Sequence, residues 1–61
     1  MAIVEVVAEE VKVGDTILFG GEYRQVIDVC DNDSLGGVWI YFRGYYDSFF
    51  AYGKVVKKTI S

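Results

Sequence analysis

The chain has 61 residues and a mass of 6.9 kDa, is 52% apolar and 16% aromatic, and carries a net charge of −3 with no histidine. A domain of this size buries only about 60% of the surface its unfolded chain exposes, which leaves room for one core. The single cysteine, Cys30, excludes an internal disulfide, and no apolar run approaches the ~18 residues of a membrane-spanning helix.

Residues 3 to 8, Ile-Val-Glu-Val-Val-Ala, alternate in the manner of a first strand, with Ile3, Glu5 and Val7 on one face and Val4, Val6 and Ala8 on the apolar one. The polar stretch from Glu9 to Asp15 follows as a turn, with room for a short helical turn over residues 8 to 12. Gly20 and Gly21 then separate two strand-like runs between Val13 and Val29, and a primed two-residue turn there places Phe19 opposite Glu22, Leu18 opposite Tyr23 and Ile17 opposite Arg24. Neither face of that hairpin is cleanly polar. Either a β-bulge shifts the register or both faces are covered, and the sequence leaves both open.

Asp31 to Gly37 forms the longest polar segment and is expected to be a surface loop. It begins like a calcium loop but has Leu35 at the fifth position and Phe42 at the twelfth, where side-chain oxygens are required, so no metal is expected. Val38-Trp39-Ile40-Tyr41-Phe42 makes the central strand: Val38, Ile40 and Phe42 point to the core, and Trp39 and Tyr41 point outward. A turn over residues 43 to 47 carries Tyr45 and Tyr46 at its tip, residues 48 to 51 pair back, and Tyr52-Gly53 forms a single helical turn. The run from Lys54 to Ile60 is the last strand, and its lysines suit an exposed sheet edge. Together these elements predict an all-β domain over residues 1–61, a small SH3-like barrel of five or six short antiparallel strands.

Valine, isoleucine, leucine and the aromatics supply 27 large apolar side chains. A small five-stranded barrel has about 12–15 inward positions. The surplus must lie outside, and monomers rarely expose that much contiguous apolar surface without a use for it. Charge is uneven as well. Residues 1 to 33 sum to −6 and residues 34 to 61 to +3, which either polarises the surface or pairs internally across the barrel.

Without histidine, the side chain best suited to proton transfer near neutral pH is missing, and Cys30 has no imidazole to activate it. Asp31 and Asp33 form a carboxylate pair, but adjacent acids in a glycine-rich loop are ordinarily solvated turn residues. No enzyme activity and no cofactor are expected. The favoured function is a non-catalytic interaction or self-assembly module with Trp39, Tyr41, Tyr45, Tyr46 and Phe49 as its face. The alternative is a single-stranded nucleic-acid-binding barrel in which aromatics stack bases while Arg43, Lys54, Lys57 and Lys58 hold phosphates. The sequence pI of 4.6 weighs against that alternative. A third reading makes the acidic face a ligand for a host nucleic-acid-binding protein.

The run Val11-Lys12-Val13-Gly14-Asp15-Thr16-Ile17, followed by Gly21, Tyr23, Val26 and Val29, resembles the opening of short SH3-like β-barrel proteins encoded by bacteriophages. Similar lettering opens self-splicing domains of the intein and hedgehog type, from which this chain departs by its length and by lacking histidine and an N-terminal cysteine. The phage resemblance implies a small accessory protein and assigns no functional residue. The partners expected are a second copy of the chain and, next, a host protein, with nucleic acid less favoured and no membrane. Acids stand where a signal peptide would carry positive charge, and with the lone cysteine this gives a cytoplasmic expectation.

Overall fold

The computed structural model describes residues 2–60. Six strands, β1 (Ala2–Val7), β2 (Thr16–Phe19), β3 (Glu22–Asn32), β4 (Gly37–Phe42), β5 (Tyr46–Ala51) and β6 (Val55–Ile60), form one antiparallel sheet in the order β1-β6-β2-β3-β4-β5. The sheet gives a small all-β, barrel-like fold.

The β2–β3 hairpin turns on Gly20 and Gly21 at φ 63° and 83°, the left-handed pair that a primed two-residue turn requires. Its register is the one expected, with Phe19 opposite Glu22 and Ile17 opposite Arg24. β3 then passes from one half of the sheet to the other. Val26 pairs with Phe42 and Asp28 with Tyr41, so Ile27 is an extra residue in a β-bulge. The bulge resolves the two-faced pattern of β3. Ile17 and Val26 face inward before it and Val29 packs on the core after it, while Ile27 is turned out and 52% exposed.

Both halves of the sheet contribute to one core of Ala8, Val11, Ile17, Val26, Val38, Ile40, Phe42, Phe50 and Val56. Phe42 lies at its centre, stacked on Phe19 at 4.8 Å between ring centroids and edge-on to Phe50 at 6.5 Å. A single 3-10 turn, Ala8–Glu10, follows β1 and brings Ala8 and Val11 into this core. The turn is fastened to the β5–β6 connection twice. The Ala8 amide donates to the Lys54 carbonyl and the Gly53 amide donates to Glu9 Oε1, each at 2.8 Å.

Three expectations need correction. β6 is no edge: it lies between β1 and β2, with Lys57 opposite Glu5, and Lys58 opposite Val4 and Ile17. Its lysines are accommodated because Lys57 is exposed on the outer side across from an acid, and the Lys58 ammonium reaches Asp15 Oδ1 at 3.2 Å. The loop expected from Asp31 to Gly37 is shorter, because both of its ends are strand. Asp31 pairs with Val38 and Asn32 with Gly37, leaving a reversal of only residues 33 to 36. Tyr52-Gly53 is a β-turn rather than a helical turn, closed by the Lys54 amide on the Ala51 carbonyl at 3.1 Å. The edges of the sheet are β1 and β5.

Candidate interaction face

Strand alternation divides β4 cleanly. Val38, Ile40 and Phe42 are buried, and Trp39 and Tyr41 stand half-buried on the opposite side. On β5 the buried residue is Phe50, which turns Asp47, Phe49 and Ala51 to that same outer side. Cross-strand register then builds the face row by row. Trp39 is opposite Phe49 and the rings meet edge to face at 5.4 Å. Phe49 also lies over Gly37, a backbone position with no side chain of its own to cover it. In the next row Tyr41 has Asp28 on β3 to one side and Asp47 on β5 to the other.

The β4–β5 connection, Arg43-Gly44-Tyr45, ends this stripe. Gly44 has φ 93° and Tyr45 follows at φ 68°, the only positive-φ residue other than glycine among the described residues. The left-handed region costs an L-residue roughly 1–2 kcal/mol. Tyr45 bears that cost with its ring fully exposed, at 106%. A cavity of about 510 Å³ opens below the tip, lined by Ile27, Tyr41, Arg43, Tyr45, Tyr46 and Asp47.

Of the five residues expected on the face, Trp39, Tyr41 and Phe49 share the outer side and Tyr45 stands at the tip. Tyr46 departs from the pattern. It is the first residue of β5, opposite the buried Phe42, and so belongs to the inner side. The Arg24 guanidinium sits 3.9 Å above its ring and also donates to the Phe19 carbonyl and to Glu22. Tyr46 remains 47% exposed, with Arg24 stacked over its ring. Arg24 and Ile27 complete this end of the molecule, and neither was singled out from sequence; the apolar residues on both faces of β3 were the available signal for the bulge that exposes Ile27.

The four basic residues considered for phosphate contacts are dispersed. Arg43 is at the hairpin tip and has no ion-pair partner among the described residues. Lys54 is in the β5–β6 turn, while Lys57 and Lys58 lie on opposite sides of β6, with β2 and β3 between that strand and β4.

Asp31 and Asp33 are joined by Tyr52, whose hydroxyl is in hydrogen-bonding contact with the Asp31 carboxylate and 2.5 Å from Asp33 Oδ1. The Tyr52 amide donates to the Gly36 carbonyl at 3.0 Å, so the β3–β4 reversal is held to the end of β5 at two points. Hydrogen bonding to Asp31 and then to Asp33 raises the Tyr52 pKa well above its ordinary 10.0, because ionisation would remove the donated proton and set a phenolate beside two carboxylates. Since the folded value is the higher one, this interaction stabilises the fold fully below the unfolded value and is lost as pH rises through the folded one. A phenolate absorbance titration should contain a phase above the ordinary phenol range, and Tyr52→Phe should delete it. A titration unchanged by Tyr52→Phe would mean that the clamp does not form.

No helix among the described residues is long and apolar enough to cross a membrane. Compared with protein-family models, with curated proteins and with solved structures, the chain gives no match.

Proposed function

We propose that the protein is a non-catalytic interaction module that self-associates through the outer side of β4 and β5. The observation that carries this reading is the set of aromatics Tyr41, Trp39 and Phe49 on the side of the sheet away from the core, with Tyr45 fully exposed at the adjoining tip. Large rigid aromatics supply much contact area at little entropic cost, and such residues dominate protein contacts. The strained backbone of Tyr45 adds support, since holding an exposed ring at a left-handed position does nothing for the core. A cytoplasmic setting, a phage accessory role and a host protein as alternative occupant belong to the same proposal, supported by the free, exposed Cys30 and by the sequence resemblance.

Sedimentation at high micromolar concentration should give a mass above 6.9 kDa that resists added salt and falls on Trp39→Glu. Salt resistance is expected because apolar burial, at about 25 cal/mol per Å², outweighs exposed ion pairs at about 0–1 kcal/mol each. A clean monomer would end the self-association reading and leave the stripe as a docking face for a different molecule. Tight binding of a labelled single-stranded nucleic acid that survives physiological salt, and is lost when Trp39→Ala is combined with Lys57→Ala, would replace it with base stacking.

A further inference from the structure

We infer that the second copy docks edge to edge on β5, antiparallel about a twofold axis that passes beside Phe49; this rests on the self-association proposed above and narrows its contact to the β5 edge of the aromatic side, where Phe49 carries the packing of Trp39 to the seam. Among the described residues β1 and β5 are the two ends of the sheet, and each presents a row of backbone amides and carbonyls to a further strand. Among the described residues the β5 backbone bonds to nothing outside the β4 ladder except through the Ala51 carbonyl, which receives the Lys54 amide. β5 carries no lysine, proline or bulge that would discourage pairing, and its one charge is Asp47.

Twofold symmetry restricts the registers. An antiparallel pair related by a twofold must place some residue opposite its own copy, and inner sides then continue into inner sides. With Phe49 on the axis, Ser48 faces Phe50 of the second copy and Asp47 faces Ala51, so the whole of residues 47 to 51 is paired. The two Asp47 carboxylates are then four residues apart, about 13 Å along the strand. That exceeds the Debye length of about 8 Å at physiological ionic strength, so their repulsion is screened. The outer side becomes an unbroken row of Trp39, Phe49, and the Phe49 and Trp39 of the second copy. Moving the axis to Ser48 brings the Asp47 pair to about 7 Å, inside the screening length. β1 fares worse at every centred register. With Glu5 on the axis the two acids are directly opposed, and with Val4 on it they are about 7 Å apart. Lys57, opposite Glu5 on β6, softens this repulsion without removing it.

Cysteine cross-linking reads the register with substitutions at exposed positions. Both Asp47 and Ala51 are exposed, and Cys30→Ser removes the native thiol. Directly opposed residues have Cα atoms about 4.5–5.5 Å apart, within the roughly 4.4–6.8 Å that a disulfide spans. Under mild oxidation, a mixture of the Asp47→Cys and Ala51→Cys proteins should therefore yield a covalent dimer that neither protein yields alone. Ala51→Lys, which sets an ammonium opposite each Asp47, should tighten the dimer severalfold at low salt. Sedimentation of the parent separates the two levels of inference. A monomer overturns both the self-association and this geometry. A dimeric mass without the mixed disulfide, or with equal cross-linking in the unmixed samples, overturns the β5 geometry alone, and a mass that keeps growing with concentration replaces the closed pair with head-to-tail assembly of β5 on β1.

Discussion

Phe42→Ala should lower the stability by about 3–5 kcal/mol, the range for removing a buried aromatic ring. Phe42 is fully buried, stacks on Phe19 and meets Phe50 edge-on, and its partner on β3 is Val26 at the bulge. Its removal thus leaves a void where the two halves of the sheet meet, and the neighbouring rings are held by strand pairing and cannot collapse into it. A domain of this length has a total stability on the order of 3–9 kcal/mol. The variant should be largely unfolded at room temperature or melt tens of degrees below the parent, given roughly 4–8 °C per kcal/mol in domains of this size. Ile40→Ala, at the other fully buried site of β4, should cost about 2–5 kcal/mol. Denaturant titrations of both variants check the inward face of the central strand. Parent-like midpoints would reverse that face and turn Trp39 and Tyr41 into core residues.

Local chemistry made part of this fold legible. The paired glycines at 20 and 21 left the chain one economical reversal, and a two-residue turn sets the register of its strands, so the pairs from Thr16–Gln25 to Phe19–Glu22 follow from spacing alone. The alternation of Val38, Ile40 and Phe42 with Trp39 and Tyr41 settled the facing of β4 because all three inward residues are large and apolar. Where a strand is apolar on both sides, alternation carries no such information. β3 needed the bulge at Ile27, and a bulge is a tertiary adjustment that bends one long strand across two halves of the sheet. The misplacement of β6 has a different origin. Its pairing with β1 joins residues at opposite ends of the chain, and lysines at 57 and 58 look like edge protection until Glu5 and Asp15 are seen beside them. The candidate face was legible through β4 and blurred at the hairpin tip. Both Tyr45 and Tyr46 are exposed, but β5 begins at Tyr46, and a strand start one residue away would have put that side chain on the other side of the sheet.

Gly37→Ala should be the most damaging single-methyl change, destabilising by about 1–3 kcal/mol or more through overpacking. Gly37 does not need a left-handed backbone; it needs the absence of a side chain. A Cβ built there overlaps the Phe50 carbonyl oxygen, stands 2.5 Å from Phe49 Cζ and lies 3.0 Å from Ala51 Cα. The Phe49 ring could swing away, but the other two atoms are backbone of the neighbouring strand, so relief requires β4 and β5 to part at the Gly37–Ala51 end of their ladder. Gly36 is the internal control. Its φ is +73° with nothing within 4 Å of a built Cβ, so alanine there meets backbone strain of roughly 1–2 kcal/mol and no collision. The two variants should therefore differ in kind. Gly36→Ala should lower the melting temperature while leaving Trp39 fluorescence as in the parent, because the edge-to-face contact of Trp39 with Phe49 is untouched. Gly37→Ala should lower the melting temperature further and also shift that fluorescence, because the ring over Gly37 is the one that packs on Trp39. It should weaken self-association too, since the same displacement disturbs the β5 edge. A Gly37→Ala protein with parent-like melting and emission would mean that Phe49 does not cover the glycine, and the outer face would lose the packing that aligns its aromatic stripe.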